Sequence, residues 1–169
     1  MVPGSGNFTL ELYSRSTADN TIVCLPAGVG YGLRVRRTLA NTLELTINDV
    51  VLGTTSPITN IGWLAVVRSG SNIALFWQGL EKLSFDIGAA TIASDGVLSI
   101  GDVGNVATDS FWETGLWVDE ARYTKNVARY AGAYAIPTQQ FVGDFTATLH
   151  QAAYPYPEHV KVTQFGQAN

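Results

Sequence analysis

Apolar residues recur at every second position in one short run after another, and that rhythm limits what this chain can become. Phe8, Leu10 and Leu12 alternate with Thr9, Glu11 and Tyr13. Tyr31, Leu33 and Val35 alternate with Gly32, Arg34 and Arg36, and Leu43, Leu45 and Ile47 with Thr42, Glu44 and Thr46. Successive side chains leave a strand on opposite faces, so each run predicts a half-buried strand. Asn48-Asp49 before Val50-Val51-Leu52 predicts a tight hairpin turn. The stretch from Ile61 to Val67 is apolar on both faces, as in a strand covered from both sides. Ser69-Gly70-Ser71-Asn72 turns it into Ile73 to Gln78, and shorter strands are expected at Lys82 to Phe85 and Val97 to Ile100. Only Asn126 to Ala131 invites a helical reading, and it is about one to two turns long. The fold class expected is all-β: an antiparallel β-sandwich or jelly roll with one short helical turn.

A chain of 169 residues, 46% apolar and 14% charged, is large enough for one domain with a real core. A net charge of −4 and no basic stripe set nucleic-acid binding aside. No apolar run approaches the roughly 20 residues of a membrane span, and the first residues lack the pattern of a signal peptide. Synthesis in a host cytoplasm is the expectation. Cys24 is the one cysteine, so no internal disulfide can form, and it reads as a buried strand thiol.

The run 115–141 carries a more specific signal. Asp119, Glu120, Arg122 and Tyr123 end a strand, Val127-Ala128-Arg129-Tyr130 follow, and the run leaves through Pro137-Thr138 to Phe141. This closure resembles the end of the laminin-G-like, concanavalin A-like jelly-roll domains common in bacteriophage tail and surface proteins. Upstream, Phe8 to Tyr13, Leu64 to Gly70 with Ile73 to Gly79, and Leu98 to Gly101 agree in order and spacing. The resemblance covers roughly residues 8 to 141. It departs at Gln78, where the family usually places Asp, and at the front end, where the family has a further strand. It implies a domain over 1–142 and a C-terminal extension over 143–169. That extension is expected to be an assembly or docking arm filling the vacant edge, with Tyr154, Tyr156, Val160, Val162 and Phe165 as contact residues.

Chemistry is sparsely marked. Glycoside hydrolysis needs two carboxyl groups about 5–9.5 Å apart facing one cleft. Asp119 and Glu120 are adjacent on a strand and leave opposite faces, so they cannot be that pair. Glu120 and Arg122 share a face and suit an ion pair. No Gly-x-Ser-x-Gly elbow or His-Glu-x-x-His is present, and two histidines with one cysteine make a poor zinc set. Gly28-Val29-Gly30-Tyr31-Gly32 precedes an alternating strand and reads as a turn rather than a phosphate loop. An enzyme is not expected, and no cofactor is implied.

Two binding readings stay open. Asp95, Asp102 and Asp109 offer hard oxygen ligands for calcium, although aspartates beside glycines also serve turns. Trp112, with Asp102, Asn105 and Asp109, is the candidate sugar site, and packing under its loop is the equal alternative. The resemblance implies a non-catalytic virion surface protein in a tail-fibre, receptor-binding or head-decoration position. Its partners would be other virion proteins, further copies of itself and host-surface glycans. A carbohydrate-binding lectin-like module is the alternative, and a glycoside hydrolase ranks last.

Overall fold

A computed structural model describes residues 4–16, 19–28, 30–96, 98–100, 116–136, 147–151 and 160–165. They form strands β1 Phe8–Ser16, β2 Asn20–Ala27, β3 Gly30–Arg37, β4 Leu43–Ile47, β5 Val50–Thr54 and β6 Ile61–Ser69. The others are β7 Asn72–Trp77, β8 Leu80–Asp86, β9 Leu98–Ile100, β10 Leu116–Lys125, β11 Ala147–Gln151 and β12 Val160–Phe165. Two antiparallel sheets result: five strands ordered β10-β1-β6-β7-β8, and seven ordered β11-β12-β9-β2-β3-β4-β5. This is an all-β jelly-roll sandwich. The described residues contain no helix, so none long and apolar enough to cross a membrane. The expected helical turn at 126–131 is a turn followed by irregular chain.

The core lies between the sheets. Phe8, Leu10 and Leu12 from β1, Leu64 and Val66 from β6, and Ile73, Leu75 and Trp77 from β7 meet Val23, Leu25, Leu33, Val35, Leu43, Leu45 and Ile47. The alternation read from the sequence therefore points these residues inward, with one exception. Between β2 and β3 the register slips, with Leu25 opposite Leu33 but Pro26 opposite Tyr31. The extra residue, Gly32, is a bulge, and it turns Tyr31 to the outer face beside Cys24 instead of inward with Leu33. A Cβ on Gly32 would sit 1.6 Å from the Ala93 carbonyl oxygen, so only glycine permits this approach.

The hairpin turns follow their residues. Asn48 and Asp49 both have positive φ, 46° and 62°, the left-handed pair a two-residue turn with strand-matched twist requires. Gln78 and Gly79 repeat it at 53° and 73° between β7 and β8. Gln78, the residue departing from the family pattern, accepts a hydrogen bond from the Trp63 N–H at 3.4 Å and donates to the Ile61 carbonyl at 3.3 Å.

The chain after β10 explains why β1 and β6 are buried on both faces. Residues 126–134 cross the outer face of the five-stranded sheet and pack Ala128, Tyr130 and Tyr134 over Ala65, Val67, Ala74 and Phe76. The Asn126 N–H donates to Asn7 and the Tyr134 N–H to Gly79, which fastens both ends of this strap. Thr9 Oγ1 donates to the Val127 carbonyl and accepts from the Arg129 N–H, each at 2.9 Å.

Two arginines are buried without a carboxylate among their hydrogen-bond acceptors in the described residues. Arg37 donates to the Ser16 carbonyl and to the side-chain oxygens of Asn41 and Asn60 at 2.5–2.7 Å. Arg68 donates to the carbonyls of Gly4, Gly70, Gly88 and Ala90 at 2.7–3.3 Å. Burial lowers the pKa of both from the ordinary arginine value. Tyr123 is a different case. Its ring stacks on Phe8 in the core with centroids 5.9 Å apart, and its hydroxyl is buried with no partner among the described residues. Replacing Tyr123 with phenylalanine removes that orphan donor and is expected to stabilise the fold by about 1 kcal/mol. Urea unfolding checks this, with a higher midpoint as the expected result.

Candidate functional site

The two outer faces differ in chemistry. On the five-stranded sheet the strap encloses a carboxylate. Glu11 is 1% exposed, and its Oε2 accepts from Arg122 through Nε at 2.8 Å and a terminal nitrogen at 2.7 Å. Tyr130 donates its hydroxyl to the other oxygen, and Arg129 stands 3.8 Å away. Arg122 lies directly across from Glu11 in the β1–β10 register, which explains the pairing. Burial, then the bond to Glu11, pushes the Tyr130 phenol up to about 12. Tyr134, stacked on Tyr130 with centroids 3.6 Å apart, is raised further, chiefly by burial. Both carboxylate oxygens of Glu11 are taken by partners from β10 and the strap, so this cluster fastens the strap to the sheet.

The outer face of the seven-stranded sheet carries a second cluster of charged and aromatic side chains, much of it buried: Tyr31 is 7% exposed, and the side chains of Arg34 and Glu44 are 13% and 17% exposed. Neighbouring strands place Ser99, Cys24, Arg34, Thr46 and Val51 in one transverse row, and Thr21, Arg36, Glu44 and Thr54 in the next. Arg34 pairs with Glu44 at 3.1 Å and lies over the Tyr31 ring, 4.5 Å from its centroid. Arg36 forks onto Asp19 through two hydrogen bonds of 2.7 Å. Cys24 and Thr46 are buried, while the Arg36 side chain keeps 38% of its surface exposed. Thr46 Oγ1 is buried with no hydrogen-bond partner among the described residues. Asp49 holds Tyr31 in place, accepting its backbone N–H at 2.7 Å. Planar guanidinium donors, carboxylate acceptors and an aromatic ring thus stand together on one face of the sheet, the guanidiniums paired with the carboxylates.

The residues singled out in the sequence fare differently. Asp95 fastens the β2–β3 turn, accepting from the Gly28 N–H at 2.9 Å. Asp102, Asn105, Asp109 and Trp112 lie outside the described residues, as do Tyr154 and Tyr156. Val160, Val162 and Phe165 belong to β12, which pairs with β9 and β11 in the seven-stranded sheet. Among the described residues no three His, Cys, Asp or Glu side chains group to hold a metal. Trp77 packs in the core, whereas Trp63 is half-buried, its ring centroid 5.2 Å from that of Tyr13. Sequence reasoning passed over Asp19, Tyr31, Arg34, Arg36 and Glu44. Their signal was the charged half of the β3 and β4 alternation, which an ordinary solvated face shares.

The two antiparallel sheets and their strand order define a jelly-roll β-sandwich. No protein-family model matches the sequence, and no curated protein matches it. Solved structures do. The alginate lyase AlgAT5 from polysaccharide lyase family 7 aligns with a TM-score of 0.52 at 13% identity, covering 73% of this chain and 62% of the lyase. A heptameric SAP-like pentraxin from Limulus polyphemus aligns at 0.51 and 15% identity, covering 72% of this chain and 65% of the pentraxin. The aligned region thus spans less than two thirds of either protein. The likeness establishes the fold, and it corrects one expectation. The sequence argument held that the chain is not an enzyme, yet a polysaccharide lyase is built on this sandwich. That argument tested for the paired carboxylates of hydrolysis, a requirement that does not extend to a lyase.

Proposed function

We propose that this chain is a carbohydrate-binding jelly-roll module whose sugar contacts lie on the outer face of the seven-stranded sheet. The observation that carries this reading is the array of Tyr31, Arg34 and Glu44 beside Arg36 and Asp19. The two guanidiniums offer directed donors, the two carboxylates acceptors, and Tyr31 an aromatic body beneath Arg34. Polysaccharides that contain acidic residues, alginate among them, suit its arginines, and the alginate lyase neighbour makes alginate the first ligand to try. Calorimetry with alginate oligosaccharides should show binding that Arg34→Ala weakens by ~10-fold or more. The same mixtures, followed by ultraviolet absorbance for unsaturated sugar ends, report whether binding leads to cleavage. A wild-type protein that binds neither alginate nor other glycans on an array would overturn the proposal.

A phage-type particle surface is the setting we propose, resting on the Asp119-to-Tyr130 closure and on the strap it forms. In that setting the 143–169 extension is the segment that meets virion proteins or further copies of the chain. Removing 143–169 should change the oligomeric state or the stability. Light scattering and melting curves identical to those of the full chain would dismiss that role.

A further inference from the structure

The strap covers only part of the five-stranded sheet. It lies over the row of Arg122, Glu11, Ala65 and Phe76, and leaves the face above Gly79, where the Tyr134 N–H reaches the Gly79 carbonyl. The next row outward contains Glu120, Tyr13 and Trp63, and the row beyond it Trp117, Arg15 and Ile61. Tyr13 and Trp63 are half-buried with ring centroids 5.2 Å apart at 55°, so together they present an angled aromatic ledge. Arg15 and Ile61, two residues further along the same two strands and on the same face, are exposed. No ion pair of Arg15 occurs among the described residues.

We infer that this patch is a second saccharide site, on the face opposite the first, that selects an acidic sugar. The ledge supplies the apolar surface on which the C–H face of a pyranose stacks. Arg15 supplies an exposed guanidinium that can fork onto a sugar carboxylate or sulfate, a pairing worth more than a neutral hydrogen bond. Glu120 stands across from Tyr13 and favours the sugar's hydroxyl groups at that end. The ring pair is fixed by cross-strand packing, so little side-chain order is lost on binding. The site is built from β1, β6 and β10 and stands whether or not the seven-stranded face binds sugar.

The test uses the full chain with oligogalacturonate as acidic probe and a neutral cello-oligosaccharide as control, read by calorimetry. Wild-type protein should bind oligogalacturonate, and Arg15→Gln and Trp63→Ala should each weaken it by ~10-fold or more. Arg15→Gln should leave any binding of the neutral sugar unchanged. Arg34→Ala, on the other face, should leave the Arg15-dependent binding within ~2-fold. Amide chemical shifts at Tyr13, Arg15 and Trp63 should move with the acidic probe in the wild type, and the dispersed ligand-free amide spectrum of each variant verifies its folding. No binding by the wild type, or affinity unchanged in both Arg15→Gln and Trp63→Ala with Arg34→Ala abolishing it, would overturn the inference.

Discussion

Replacing Glu11 with alanine is expected to cost about 3–5 kcal/mol of stability, the penalty for stripping a buried ion pair of one member. For a domain of this size that lowers Tm by roughly 6–20 °C. Glu11 is the point where β1, β10 and the strap meet: it holds Arg122 on β10 and Tyr130 on the strap. Without it Arg122 keeps its charge in a site with little solvent, and the strap loses its central anchor. Tyr130→Phe removes one bond and leaves the ion pair, so its cost is expected to be nearer 1–2 kcal/mol. The same tyrosine adds an alkaline dependence. Its folded pKa, about 12, exceeds the unfolded value near 10, so its stabilisation is complete below pH 10 and is lost as pH rises through about 12. Stability should therefore fall across that interval, and Tyr130→Phe should flatten the slope. Denaturant titrations at successive pH values measure both. A Glu11→Ala protein as stable as wild type would show that the strap is not fastened there.

Arg68→Met is expected to cost on the order of 3–5 kcal/mol, because four backbone carbonyls lose their donor together. Those carbonyls belong to Gly4, Gly70, Gly88 and Ala90, which lie on three separate stretches of chain. The Ile92 N–H donates to Gly4 and shares the same corner. Hydrogen exchange should therefore quicken at Ile92 ahead of the core amides of β6 and β7. Arg68→Lys should fail to restore the wild-type value, since a single ammonium cannot span carbonyls approached from several directions. An unchanged melting curve for Arg68→Met would remove the clamp from this account.

Much of the fold could be read from the chain because burial on one face imposes a period of two, and β1, β3 and β4 show it openly. Asn48-Asp49 announced its hairpin because both residues tolerate positive φ. What escaped was set by contacts distant in sequence. Nothing near Tyr31 says that a bulge at Gly32 turns it outward, since the cause is the Ala93 backbone packed against that glycine. Nothing near Glu11 says that it will be buried, because its partners lie more than 100 residues away. The Val127-to-Tyr130 motif was visible as a family resemblance, and the structure gives its physical content: a backbone bracket around Thr9 and a tyrosine aimed at Glu11. The candidate binding face was hardest to see. Arginines and acids alternating with core residues look the same whether they meet water or sugar.

The central claim is that sugar meets the outer face of the seven-stranded sheet, and amide chemical-shift mapping with an alginate oligosaccharide tests it most directly. The account predicts that the largest shifts fall on Tyr31, Arg34, Arg36, Glu44 and Thr46 and vanish in Arg34→Ala. Shifts confined to other surfaces, with these five amides unmoved at saturating ligand, would contradict it.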